Sequence, residues 1–84
     1  MSILLVGDRP SVLLAKYKML EKNWRLAIQQ CYSLEVAQDK LNRDNFDCLI
    51  YIPFFWQDKK AQITRLREIN KQYKIPIRVL EEEQ

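Results

Sequence analysis

The sequence predicts an α/β fold: a doubly wound, parallel four-stranded sheet with three helices, spanning residues 1–84 as one domain. Three observations carry that prediction. Short apolar runs alternate along the chain with longer stretches whose apolar residues recur at helical spacing, and this alternation calls for parallel strands joined by right-handed crossovers. The first run, Ile3-Leu4-Leu5-Val6, is apolar without alternation, as a strand buried on both faces must be. The chain has 84 residues, 48% hydrophobic and 30% charged, enough for one small core and too few for two.

Taken in order, the first strand closes at Gly7-Asp8 and reads as a central one. Asp8 to Ser11 offers cap chemistry and Pro10 suits a first helical turn. Leu13, Tyr17 and Leu20, with Leu14 and Met19 beside them, then recur at helical spacing to about Lys22. Asn23 is suited to the left-handed position that ends a helix, and Trp24 to Ile28 reads as the second strand. Ser33 caps a second helix with Val36, Ala37 and Leu41 as its apolar stripe; Glu35 stands early in it, and Lys40 and Arg43 late, as the macrodipole favours. The polar turn Asn42 to Asn45 ends it. Phe46 to Phe55 is the most apolar stretch, and its first half reads as the third strand. A third helix spans roughly Asp58 to Tyr73 with Ile63, Leu66 and Ile69 inward, and Ile75 to Leu80 is the fourth strand with Pro76 near its start.

Composition narrows the function. The two cysteines, Cys31 and Cys48, are far apart and the chain has no histidine, so neither a zinc site nor a disulfide framework is expected, and a reducing cytoplasm fits. No apolar run approaches the roughly 20 residues that span a bilayer, so no membrane association is expected. A single glycine cannot build a Gly-rich phosphate cradle, so no nucleotide or flavin cofactor is expected either. The body of the chain before Glu81, Glu82 and Glu83 has 14 basic against 8 acidic residues. Lys16, Lys18, Lys22, Lys59, Lys60, Arg65, Arg67, Lys71 and Lys74 read as solvated helix faces. Nucleic acid is not the expected partner, because no stripe alternates basic and aromatic side chains.

Ile3-Leu4-Leu5-Val6-Gly7-Asp8, Leu34-Glu35-Val36-Ala37 with Leu41 and Phe46 to Ile50, and Leu66 to Ile69 followed by Ile75 to Leu80 stand in the order and spacing of a known family. The chain resembles the receiver domain of two-component response regulators, a flavodoxin-like fold, over essentially its whole length. The resemblance implies a signalling role and places the family's phosphorylation pocket at Gly7, Asp8, Ile52 and Glu81. The residues standing there depart from the family's chemistry. Receivers phosphorylate an aspartate at the end of the third strand with a magnesium ion held by an acidic pair. Here the acceptor position falls on Ile52, or on Tyr51 if counted from downstream. Gly7 replaces one member of the acidic pair, and Glu81 replaces the hydroxyl residue that senses phosphate. The family's lysine after a fifth strand has no counterpart. The implied protein is a pseudo-receiver with no catalytic residue and no metal site, docking protein partners without phosphorylation.

Two surfaces are candidates for that docking. The resemblance implies the strand order 2-1-3-4, in which the fourth strand is an edge, so Ile77, Arg78 and Val79 could pair with a second copy or another protein; alternatively, Arg78 and the terminal glutamates protect a short edge by charge. Pro53-Phe54-Phe55-Trp56 follows the third strand, on the side where doubly wound proteins bind ligands. Three successive aromatics cannot all point inward, which makes Phe54, Phe55 and Trp56 candidate partner contacts. The competing reading places Phe54 and Phe55 in the vacated acidic pocket, with Trp56 stapling the next helix. Two further classes remain open: a small phosphotransfer enzyme or carrier in which Asp8 is completed by a second subunit, and a basic nucleic-acid binder. Cys48 reads as an inert core thiol in its strand.

Overall fold

The computed structural model describes residues 1–80. Seven elements alternate: β1 (Ser2–Val6), α1 (Arg9–Lys22), β2 (Ala27–Cys31), α2 (Leu34–Arg43), β3 (Cys48–Tyr51), α3 (Lys59–Tyr73) and β4 (Ile77–Val79). The strands form one all-parallel sheet in the order β2-β1-β3-β4. The predicted fold class is the observed one.

β1 is central and buried because both of its faces meet helices. Its register sets Leu4 opposite Gln29 and Leu49, and Leu5 opposite Gln30 and Ile50. Alternate side chains enter opposite cores. On one face Leu4, Val6, Leu49 and Tyr51 pack with Leu34 and Ala37 of α2 and Leu66 and Ile69 of α3. On the other, Ile3, Leu5, Ile50 and Ile52 pack with Val12 of α1, and Ala15 and Met19 border them.

Several element details differ from expectation, each for a physical reason. β2 begins at Ala27. Trp24 and Arg25 instead form a turn in which the Leu26 N–H donates to the Asn23 carbonyl at 3.2 Å. Trp24 is exposed with the Arg25 guanidinium 5.1 Å from its ring centroid. Asn23 is extended (φ −150°), not left-handed, because its side-chain Oδ1 accepts the Arg25 N–H at 3.1 Å and supplies the turn itself. The left-handed helix end belongs to Lys74 (φ 52°) after α3.

α1 is apolar on more than one side, and the stripe that meets the sheet is Val12, Ala15 and Met19; Leu13, Leu14 and Tyr17 are exposed. Asp8 caps it as expected, its Oδ2 accepting the Ser11 N–H at 3.2 Å, with Pro10 in the first turn. Ser33 caps α2 by accepting the Val36 N–H, while Val36 itself faces out and Leu34 is buried in its place. In α3, Leu66 and Ile69 are inward, but Ile63 is exposed and Gln62 occupies the buried position. β4 is shorter than the apolar run that predicts it. Ile75 lies ahead of the strand, buried, with its carbonyl accepting Asn70 Nδ2 at 2.7 Å.

Candidate functional site

The C-terminal end of the sheet carries the residues singled out by the resemblance and the aromatic segment. Gly7 follows β1 and Ile52 follows β3, joined by the Ile52 N–H donating to the Val6 carbonyl at 2.7 Å. A Cβ on Gly7 would stand 2.8 Å from the Ile52 Cβ and 3.2 Å from a Val12 methyl. Glycine is required here by close approach. Ile52 and a Val12 methyl thus lie directly against the Gly7 backbone. Asp8 is engaged in capping α1. Among the described residues no three of the His, Cys, Asp and Glu side chains group closely enough to hold a metal ion. Glu81 lies outside the described residues.

The aromatic segment splits between core and solvent. Phe54 is buried in the α2/α3 core. Phe55 is 88% exposed and Trp56 58%. The rings form a ladder outward from the core: Tyr51 to Phe54 at 5.9 Å, Phe54 to Trp56 at 5.1 Å, and Trp56 to Phe55 at 4.8 Å and 87°. The Tyr51–Phe54 and Phe55–Trp56 contacts are edge-to-face and the Phe54–Trp56 contact is tilted, arrangements that add stability beyond area burial. The backbone explains the split. The Gln57 N–H donates to the Phe54 carbonyl at 3.2 Å, closing a four-residue turn whose two central residues project away from it.

Gln62 holds that turn in place. Its Oε1 accepts the Tyr51 hydroxyl and the Phe54 N–H, the latter at 2.8 Å, and its Nε2 donates to the carbonyls of Phe54 at 2.9 Å and Gln57 at 3.2 Å. A buried amide with all four hydrogen-bonding positions used is a rigid clamp, since an unmade bond in that setting carries the full desolvation cost. Burial pushes the Tyr51 phenol up to about 12, so it remains the hydrogen donor through the physiological range. The clamp was open to sequence reading. Leu66, Ile69 and Tyr73 define an inward stripe whose preceding member, by helical spacing, is residue 62 and not 63.

Two concavities flank the turn. One, of about 360 Å³, lies toward α1 and includes Asp8, Ser11, Ile52, Phe55 and Leu80. The other, of about 350 Å³, lies between the starts of α2 and α3 and includes Tyr32, Leu34, Phe54 and Trp56. At the second, Arg65 Nη1 contacts Glu35 Oε1 at 2.7 Å, and the hydrogen bond from Arg65 holds the Glu35 carboxyl below its usual range.

The remaining candidates lie elsewhere. Ile77, Arg78 and Val79 form the outer strand, where Ile77 is partly buried against the α2/α3 core and Arg78 and Val79 are exposed. The Pro76 carbonyl and Leu80 N–H bond to β3, leaving the N–H and C=O of Ile77 and Val79 on the outer edge. Cys31 is buried and Cys48 half-buried, and burial raises both thiols, the state of inert cysteines. Compared with family models, curated proteins and solved structures, the chain matches none of them.

Proposed function

We propose that this chain is a receiver-like module that works by protein–protein contact through the Phe55–Trp56 turn and without phosphoryl transfer. The supporting observation is the turn itself. Two large aromatic side chains stand in solvent on a backbone that Gln62 and Phe54 hold in one conformation. Exposing them costs the isolated protein apolar burial, and a preformed aromatic pair loses little conformational entropy when a partner covers it. Gly7 and Ile52 support the phosphorylation-independent part of the reading, because neither supplies the carboxylate that a receiver carries at its position, and Ile52 packs directly against Gly7.

The β4 edge is a second candidate for contact, favoured by the outward backbone groups of Ile77 and Val79. A two-fold antiparallel pairing centred on β4 would set Arg78 opposite the same residue of the second copy, a like-charge pair that opposes it. The aromatic turn is therefore the stronger surface.

Capture of a tagged chain from lysate of its source, beside a Phe55→Ala/Trp56→Ala variant, tests the proposal. A co-eluting protein is expected with the first and absent with the second, while the variant keeps its far-ultraviolet circular dichroism and melting cooperativity. Undiminished capture by the variant would refute the assignment to this turn, and magnesium-dependent labelling by a small phosphodonor would refute phosphorylation independence.

A further inference from the structure

The sheet has two edges, and they are built differently. β4 is three residues long, follows Pro76 and carries Arg78 at its centre, features that discourage pairing with another strand. β2, the opposite edge, is five residues long, and the run from Leu26 to Tyr32 contains no charged residue, proline or glycine. A regular, uncharged edge strand of this length is a template for strand addition. Its backbone groups are sorted by position. The Ala27 N–H donates to the Met1 carbonyl at 3.0 Å, and the Cys31 carbonyl accepts the Gly7 N–H at 3.3 Å. Ala27, Gln29 and Cys31 therefore bond toward β1, and the N–H and C=O of Ile28 and Gln30 point outward.

The side chains add a second observation. Gln30 stands opposite Leu5 on the α1 face. Its Nε2 donates to the Tyr32 hydroxyl at 2.8 Å, while its Oε1, closed off from solvent, accepts nothing. One acceptor and one amide hydrogen of Gln30 are thus unused among the described residues. Trp24, 77% exposed, stands just before the strand, and exposed Tyr32 just after it.

We propose that β2 pairs antiparallel with β2 of a second copy about a two-fold axis at Gln29. This register matches the whole strand with itself. Ile28 and Gln30 of each copy exchange both backbone bonds with Gln30 and Ile28 of the other, and Gln29 meets Gln29 directly, so no like charges oppose as they do for Arg78 at the β4 edge. Gln30 favours a second copy over a foreign strand. It lacks one donor and has one to spare, a deficit that an identical side chain across a two-fold axis answers on both sides at once. The two Gln30 side chains are diagonal neighbours on one face of this pairing, within reach of each other. Each Trp24 comes to the end where the second copy's Tyr32 lies. Because the paired strands run in opposite directions, the two Phe55–Trp56 turns face opposite ends of one continuous sheet. The pairing itself does not depend on the docking role of those turns.

Sedimentation equilibrium of the full chain, with amide hydrogen exchange followed by NMR over the same concentrations, tests the pairing. A dimer is expected, and as it forms the Ile28 and Gln30 amides should slow about tenfold or more while those of Ile77 and Val79 stay fast. Gln29→Lys sets like charges opposite each other and should weaken association at least about tenfold. Should that variant lose its native circular dichroism beside Lys40, Gln29→Glu, which keeps an acceptor for the Lys40 ammonium, replaces it. Phe55→Ala/Trp56→Ala should associate as the wild type does. A chain that stays monomeric at about 1 mM, a dimer whose Ile28 and Gln30 amides remain fast, or protection at Ile77 and Val79 instead would overturn the inference. So would undiminished association in the Gln29 variant, loss of association in Phe55→Ala/Trp56→Ala, or assemblies that grow beyond a dimer, the mark of β2 pairing with β4.

Discussion

Leu4 and Leu5 are neighbours in β1 and equally inaccessible, yet they stand in different cores. Leu4 faces two helices, with Cys31, Tyr51, Phe54, Leu66 and Ile69 among the buried residues of its cluster, and that face also holds the Gln62 clamp. Leu5 faces α1 alone, in a cluster of five buried residues bordered by half-buried ones. The difference teaches where the molecule keeps its rigidity. The helices of the thicker core carry the aromatic turn at their sheet-top end, and the thinner face contributes the close contact of Ile52 and Val12 with Gly7.

The comparison can be broken first at β1 itself. Leu4→Ala is expected to cost about 3–5 kcal/mol and Leu5→Ala about 2–3 kcal/mol, because the one-helix face collapses more readily around a cavity. Urea unfolding of both variants measures this; equal costs would mean that the two cores are equally supported. Gln62→Leu comes next, at about 2–4 kcal/mol, since it strands the Tyr51 hydroxyl and the Phe54 N–H in the core. Trp56 fluorescence should redden and lose anisotropy in that variant if the clamp orders the turn.

On the thinner face, Gly7→Ala should cost about 1–3 kcal/mol through the clash with Ile52. A neutral result in thermal melts would show that the contact has slack. Alkaline titration sharpens the contrast further. The Tyr51 phenol ionises near 10 in the unfolded chain and near 12 in the folded one, so its contribution is fully present below pH 10 and is lost as pH rises toward 12. The stability difference between the wild type and Tyr51→Phe should narrow over that interval and be flat between pH 6 and 9. The smallest effect is expected at Leu14→Glu on the exposed side of α1, within about 0.5 kcal/mol.

How much of this was legible in the sequence depends on what each residue answers to. Pro10 after Asp8, and Ser33 before Leu34, located two helix starts because caps are local chemistry. Asn23 misled because a side chain able to take a left-handed backbone is equally able to close the turn itself. Leu13, Tyr17 and Leu20 make a fair helical stripe, but Val12, Ala15 and Met19 make another. Only the position of α1 over β1 selects between them. At the candidate site, three successive aromatics imply some exposure, but their sequence does not say that Phe54 goes inside and Phe55 outside, and Gln62 hides on the buried stripe because polarity ordinarily marks an exposed position.

The sequence by itself determined the alternation of strands and helices, the parallel sheet, the central place of β1, and the presence of more aromatic side chains after β3 than one core could take. These follow from hydrophobic periodicity and chain connectivity, which act along the chain. The tertiary structure alone decided which side of α1 is buried, which ring enters the core, that Ile52 closes on Gly7, and that Gln62 satisfies a turn eight residues before it. Those outcomes depend on atoms brought together across the fold, where packing and the need to pair every buried polar group choose among alternatives that local propensity leaves equal.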